Sequence, residues 1–307
     1  VEGVSVRVLA LLIPRLSRAT ILRLGRALGW VGYYSLPNQR RVALANLDVA
    51  FGDTKTRREK RRIARGSFQN FAATMLAQFS ARELTRETLD EIAEVDAAGL
   101  ELINRIRSQR RGIILITLHY GDWELLGLAT GFYGIQMTLV TKTMRNPALE
   151  NIFGPLRAQS GHRIISSRRA GAKLLRALKR GECVGLLIDQ HVGLRAGGIW
   201  CDFFGMPVLA TPTIARLALH SGAAIVACVA HPLPDGRSRI VYGPEIQYQT
   251  SGNVEADVKN ITQLCLQFCE ATIRNHPEPW LWSYKRWKAR PHQEQGRYPF
   301  YSRPPLS

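Results

Sequence analysis

Acidic residues are scarce in this chain. Only 24 Asp and Glu stand against 42 Lys and Arg, which gives a formal charge of +18 over 307 residues. A surplus of that size points to a polyanionic partner, whether nucleic acid, an anionic membrane surface, an acidic lipid or an acidic carrier protein. Cysteine is sparse too. Cys183, Cys201, Cys228, Cys265 and Cys269 are odd in number, form no CxxC pair and have no histidines at zinc-finger intervals. That argues against a disulfide framework or a structural zinc site, and for buried, reduced thiols in a protein whose chemistry faces the cytosol. No window supplies the ~18 uncharged apolar residues that a spanning helix needs, so none is expected. Internal repeats and low-complexity linkers are missing as well. So are GxSxG, HExxH, GxxxxGKS/T and a GxGxxG after a strand, which removes the usual motifs of serine hydrolases, zinc peptidases, P-loop proteins and dinucleotide binders.

What is present begins with 46% apolar residues, enough for a substantial core. From about residue 99 the chain alternates between two patterns. Aliphatic or β-branched runs of strand length occur at 112–118, 137–142, 162–166, 183–188, 223–230 and 238–243, and helical stretches fall between several of them, at 122–132, 146–160, 170–180 and 211–222. A last helix is expected over 254–275. Near-continuous apolar strands separated by helices indicate an α/β fold with a mixed, mostly parallel sheet flanked by helices. The expected organisation is an N-terminal helical, membrane-associating segment over 1–95 and a compact α/β core over 96–307.

The N-terminal segment is amphipathic. At about 100° per residue, Val6, Leu9, Ile13, Leu16, Ile21, Leu24 and Leu28 share one arc, while Arg7, Arg15, Arg18, Arg23 and Arg26 lie on the other. With Trp30, Tyr33 and Tyr34 following, and a break expected near Pro14, this fits a helix in the headgroup region of an anionic bilayer. A surface helix packed on the core is the plainer alternative. The chain opens on Val rather than Met, so a trimmed upstream anchor is also an expectation. Further on, Thr56 and Glu59 have capping-box spacing ahead of a helix with Ile63, Phe68, Phe71, Leu76 and Phe79 on its apolar side. Its basic start, Arg57, Arg58, Lys60, Arg61, Arg62 and Arg65, is either a phosphate-holding face or a solvated one. Near the C-terminus, Trp280, Trp282 and Trp287 alternate with Lys285, Arg286 and Lys288. Such a mixture either sits at a membrane interface, the reading favoured here, or covers the core.

The stretch LHYGDWE, residues 118–124, carries the chemistry. His119 follows an expected strand, where active groups of α/β sheets collect. A hydrogen-bonded loop histidine, with Asp122 as an N-cap and Glu124 in the first turn, would explain the pattern without catalysis. On a regular helix an i, i+5 pair lies roughly 140° apart, so His119 and Glu124 meet only if the chain turns between them, and Gly121 permits that. A histidine with an acidic neighbour can then serve as a general base that activates a hydroxyl.

HYGDWE resembles the HxxxxD/E motif of glycerolipid acyltransferases, and in its HYGxWE form it is similar to the bacterial lipid A biosynthesis acyltransferase family. The segments NLDVAFGD, TKTMRNPALE, GPLRAQSGHRIIS and GLLIDQHVGLRAGGIWCDFFGMPVLATPTIARLALHSGAAIV resemble family blocks in family order, from about residue 5 to about residue 290. The resemblance implies an O-acyltransferase in which His119 deprotonates the acceptor hydroxyl and Glu124 orients and charges it. It implies candidate substrate-binding positions at Arg157, near the phosphate or thioester oxygen, and at Asp189 and Gln190, with Asp189 also able to orient its loop. Asp122 joins that set, although it stands where many members carry Asn, which favours a capping role. His191 replaces a usual acidic residue after Asp189 and Gln190, and leaves that position without an assigned role. The implied partners are an acyl carrier protein or coenzyme A thioester as donor, a glycolipid acceptor such as a lipid A precursor, and the anionic cytoplasmic face of the inner membrane. Acylation of a mannosylated phosphatidylinositol is the related alternative. Thioester-to-alcohol transfer needs no metal or cofactor, and none is expected. Neither is nucleic-acid binding, for want of an RRM or KH motif. A hydrolase using the same dyad with water as acceptor is a further alternative.

Overall fold

The computed structural model describes residues 9–141, 150–151, 154–156, 159–167, 169–294 and 296–305. A 3₁₀ turn at Ile13–Arg15, with Pro14 inside it, precedes α1 (Arg18–Ser35), whose first turn is capped by Ser17. Then come α2 (Pro37–Phe51) and α3 (Arg57–Ala77). The start of α3 is a full capping box: Glu59 accepts from the Thr56 backbone N–H at 2.7 Å, and the Thr56 hydroxyl accepts from the Glu59 N–H at 3.3 Å. The remaining elements are α4 (Arg86–Ile92), β1 (Ala93–Val95), α5 (Ala97–Ser108), β2 (Ile113–Thr117), α6 (Trp123–Phe132), β3 (Met137–Thr141), β4 (Arg163–Ser166), α7 (Ala170–Lys179), β5 (Cys183–Leu187), β6 (Ile199–Phe203), β7 (Met206–Ala210), α8 (Thr213–Ser221), β8 (Ala224–Pro232), β9 (Ser238–Glu245) and α9 (Val254–Asn275).

Seven strands form one sheet in the order β1-β9-β8-β2-β5-β3-β4. Every pairing in it is parallel except β8 with β9. The protein is therefore α/β, with a mostly parallel sheet covered by helices on both faces. β2 shows why the strand runs are apolar without alternation: Ile114 and Ile116 pack into one core and Ile113 and Leu115 into another on the opposite face. All six strand runs read from the sequence are strands of this sheet. The short β1 and the β6–β7 hairpin were not read, and most of the helix expected over 146–160 lies outside the described residues.

The N-terminal helices share the core of the sheet. Leu47, Ala50 and Phe51 of α2 and Ile63 and Ala64 of α3 belong to the same cluster as Ile114 and Ile116. β1, within the segment assigned to residues 1–95, pairs in register with β9, Ala93 opposite Ser238. α1 lies on α3 through glycine: a Cβ on Gly25 would stand 2.4 Å from the Ala73 Cα, and one on Gly29 2.4 Å from the Gln69 Cα. That close approach takes Ile21, Gly25, Gly29 and Tyr33 inward and leaves Leu24, Leu28, Trp30, Val31 and Tyr34 outward. No helix among the described residues is long and apolar enough to cross a membrane.

The basic start of α3 divides. Lys60 is buried and pairs with Asp48 at 2.6 Å, Arg62 reaches Glu278 at 3.1 Å, and Arg57, Arg58 and Arg61 are exposed. All five cysteines are buried and free. One expectation is corrected outright. Trp280, Trp282 and Trp287 do not sit at an interface: at 1%, 0% and 0% exposure they are core residues, and Arg286 among them is buried as well.

Candidate active site

His119 lies two residues beyond the end of β2, and Asp189 two beyond the end of β5. These neighbouring strands run parallel with Thr117 opposite Leu187, so the register carries the two residues out of the sheet side by side. The His119 ring donates from Nδ1 to Asp189 Oδ1 at 2.8 Å, and its backbone N–H donates to Oδ2 at 3.0 Å. The Trp280 indole N–H supplies a third bond, to Oδ2 at 2.8 Å. With Nδ1 protonated in this way, Nε2 is the acceptor nitrogen of the ring. It faces the Gln190 side-chain amide at 3.3 Å.

The turn after His119 depends on Gly121. Its φ is +57°, and a Cβ there would stand 1.8 Å from the Ala230 carbonyl oxygen, so both the conformation and the space require glycine. Thr74 and Asn70 of α3 donate to the Gly121 carbonyl at 3.0 and 3.3 Å. The C-terminal segment closes the other side: Gly121 N–H donates to the Pro279 carbonyl, and Leu281 N–H to the His119 carbonyl, each at 3.2 Å. The His119 loop is thus held on one side by α3 and on the other by the coil that follows α9.

Asp122 caps α6, accepting from the Leu125 N–H at 3.1 Å, and also accepts from Gln78 at 3.3 Å and faces Arg18 at 3.8 Å. Burial pushes its carboxyl up to about 6, more than the Arg18 charge and these bonds pull it down. It lines a cavity of about 240 Å³ together with Arg18, Gln78, Leu125 and Leu128. Glu124 sits in the first turn of α6 and acts on His119 through its charge. The Trp123 ring meets the His119 ring edge-on at 5.3 Å and stacks on Phe71 at 6.2 Å, giving the site an apolar wall.

The ionisation of the pair follows from these contacts. Burial favours the neutral form of His119, but the Asp189 charge, its hydrogen bond and the Glu124 charge outweigh it, so the imidazole lies above its ordinary 6.5. Burial likewise opposes the Asp189 carboxylate. The His119 charge and the bonds from His119 and Trp280 overcome it and hold the carboxyl below 3.8. An imidazole with one nitrogen tied to a buried carboxylate and the other directed outward is the arrangement of a general base.

Of the residues singled out from the sequence, Asp189 and Gln190 lie within hydrogen-bond distance of His119, and Glu124 acts on it through its charge. Asp122 is buried and turned to Leu125, Gln78 and Arg18 instead, and Arg157 lies outside the described residues. Trp280 was missed as a site residue. Its signal was obscured because nothing in the sequence ties position 280 to position 189.

The sequence model of the family described as bacterial lipid A biosynthesis acyltransferase matches residues 4–289. The chain is 25% identical to the lipid A biosynthesis lauroyltransferase of Escherichia coli, over 94% of this chain and 91% of that protein. It is 25% identical to the lipid A biosynthesis palmitoleoyltransferase of the same organism, over 90% and 87%. It is also 25% identical to a phosphatidylinositol mannoside acyltransferase of Mycobacterium tuberculosis, over 70% of this chain and 65% of that one.

Proposed function

Because the chain belongs to the bacterial lipid A biosynthesis acyltransferase family and is an acyltransferase, we propose that it moves a fatty acyl group from an acyl carrier protein or coenzyme A thioester to a hydroxyl of a glycolipid, a lipid A precursor. The observation that carries this is the His119–Asp189 pair at the end of β2 and β5, with Nε2 left to accept a proton. The acceptor hydroxyl displaces the Gln190 amide from Nε2 and gives its proton to His119 as its oxygen attacks the thioester carbon. The tetrahedral intermediate collapses, the C–S bond breaks, and the imidazolium returns the proton to the departing sulfur, leaving an ester and a free thiol. Asp189 holds the ring and stabilises the imidazolium at contact distance, and Glu124 adds charge from the first turn of α6. The two carboxylates therefore share the role first given to Glu124 alone.

The surplus of 18 positive charges suits an acidic carrier, a phosphorylated acceptor and an anionic leaflet. The outward apolar face of α1 and its neighbouring Arg23 and Arg26 fit a peripheral position on the cytoplasmic face of the inner membrane. Similarity to the mannoside acyltransferases supports the second acceptor, a mannosylated phosphatidylinositol.

The test is an in vitro assay of the purified protein with both thioester donors and both acceptors, followed by mass spectrometry. The expected product is one acyl chain heavier than the acceptor. His119→Ala should lower turnover ~10²–10⁴-fold, and Asp189→Asn should cost more than Glu124→Gln. Since only neutral His119 accepts a proton, activity should rise with pH through a midpoint above 6.5. Near-normal turnover by folded His119→Ala would remove the mechanism. A product from the mannoside alone would change the acceptor.

A further inference from the structure

Three tryptophans are buried in the segment after α9, and their indole N–H groups meet different fates. That of Trp282 goes to the Pro277 carbonyl at 2.6 Å, an ordinary way to satisfy a buried donor. That of Trp287 has no hydrogen-bond partner among the described residues. That of Trp280 alone is directed at a carboxylate, Asp189. The segment is also fixed where it touches the loop: the Ser67 hydroxyl donates to the Trp280 carbonyl at 2.5 Å, Asn70 to the Pro279 carbonyl at 3.2 Å, and Leu281 N–H to the His119 carbonyl at 3.2 Å. Trp280 packs against Trp282 and Phe203, with ring centroids 4.6 and 5.8 Å away, so its indole has no room to turn.

The other two bonds to Asp189 both come from His119. A carboxylate held by one residue moves with that residue, and a third donor from a distant part of the chain ties the pair to the protein. Nearby Arg286, wholly buried, donates through Nη1 to the Leu209 carbonyl at 2.9 Å, while Nε and Nη2 have no hydrogen-bond partner among the described residues. Asp189 is the foremost charge acting on it. A buried cation that is not spent on its own hydrogen bonds favours an ionised carboxylate beside it.

Resting on the acyl-transfer reading above, we propose that Trp280 is a positioning residue of the reaction: its indole N–H locks Asp189 in the orientation that accepts the hydrogen bond from His119 Nδ1–H. The C-terminal segment is then part of the working site as well as of the core.

Two variants test this, Trp280→Phe and Trp280 replaced by 3-benzothienylalanine, which keeps the indole shape and puts sulfur where the N–H was. The readouts are kcat, KM and the titration of His119 by NMR in labelled protein, assigned by difference from His119→Gln. Loss of a donor to a charged group should lower kcat by about tenfold with KM unchanged. Without that lock Asp189 holds the imidazole less well, so the His119 midpoint should move to lower pH. An unmoved midpoint in either folded variant overturns the proposal, even with a lower kcat, because a packing role alone would not move it. If the Phe variant does not fold, the isosteric one decides. The titration needs no substrate, so it stands even if the parent protein transfers nothing. An active parent with an inactive His119→Ala keeps the transfer mechanism whatever position 280 shows.

Discussion

The outward face of α1 and the segment after α9 have similar compositions, tryptophan and tyrosine among basic residues, and opposite environments. Trp30, Val31 and Tyr34 are 47%, 51% and 50% exposed, whereas Trp282 and Trp287 are wholly buried. The difference follows from backbone geometry. A helix can give only part of its circumference to one neighbour, and α1 gives the side with Ile21, Gly25, Gly29 and Tyr33 to α3. Its remaining apolar side chains have no place to go within the fold. The later segment has no helical period, and three of its side chains are placed by what a polar atom reaches: Asp189 for Trp280, the Pro277 carbonyl for Trp282, the Leu209 carbonyl for Arg286. Exposed apolar surface on α1 is thus a candidate docking face, and buried aromatic surface after α9 is structural and catalytic support.

Truncation should separate the two regions most strongly. Trp282→Ala removes a ring packed on Phe51, Phe204 and Trp280, and should lower the unfolding free energy by about 3–5 kcal/mol in urea titrations. Trp30→Ala should change it by no more than about 0.5 kcal/mol. Comparable losses at both positions would mean that α1 is covered in solution and that the contrast is false.

Much of this organisation was legible in the sequence because it is local. The six apolar strand runs, the Thr56–Glu59 capping box and the turn at Gly121 each depend on residues within a few positions of one another. The candidate site was legible in part. His119 was placed by the strand before it, but its partner on Nδ1 is 70 positions away, brought there by the register of β2 with β5. That register had a faint trace, since His119 and Asp189 each follow an expected strand by the same short interval. The burial of Trp280, Trp282 and Trp287 had none. Basic residues between aromatics look the same whether they snorkel to a surface or, like Arg286, are enclosed with a carbonyl and an aromatic face. Along the N-terminal segment, the seven-residue apolar arc overstated one face: Ile13 and Ile21 are inward and Leu16, Leu24 and Leu28 outward, and on α1 the glycines, silent in a hydrophobicity pattern, set which side packs.

A smaller effect should come from the one basic residue at the start of α1 that turns inward. Arg18 reaches Asp122 at only 3.8 Å, too far for a strong hydrogen-bonded pair. The Asp122 carboxyl at about 6 in the folded protein exceeds its ordinary 3.8, so the folded state binds the extra proton between those values. Stability contributed by this group therefore rises as pH falls from 7 towards 4, and at pH 8 the buried carboxylate is a cost. Asp122→Asn keeps a capping oxygen and removes the charge. It should raise stability by about 2 kcal/mol at pH 8, allowing for the partner Arg18 loses, and by much less below pH 4. A loss at pH 8 would show that the Arg18 pair outweighs the burial.

The least change in the fold, and the sharpest test of the docking face, should come from Leu24→Gln with Leu28→Gln. Both side chains point outward, at 44% and 56% exposure, so unfolding should move by no more than about 0.5 kcal/mol. If the face enters a lipid headgroup layer, each leucine contributes about 1.5 kcal/mol or more of transfer free energy, and the double variant should bind phosphatidylglycerol vesicles at least about tenfold more weakly. Adding salt should weaken both proteins further, through Arg23 and Arg26, without removing the difference between them. Turnover on acceptor presented in vesicles should fall with binding, while turnover on detergent-dispersed acceptor should not, because neither residue belongs to the His119 loop or its supports. Equal vesicle binding by the variant and the parent would assign the face to a protein partner, and charge alone would then have to hold the enzyme at a bilayer.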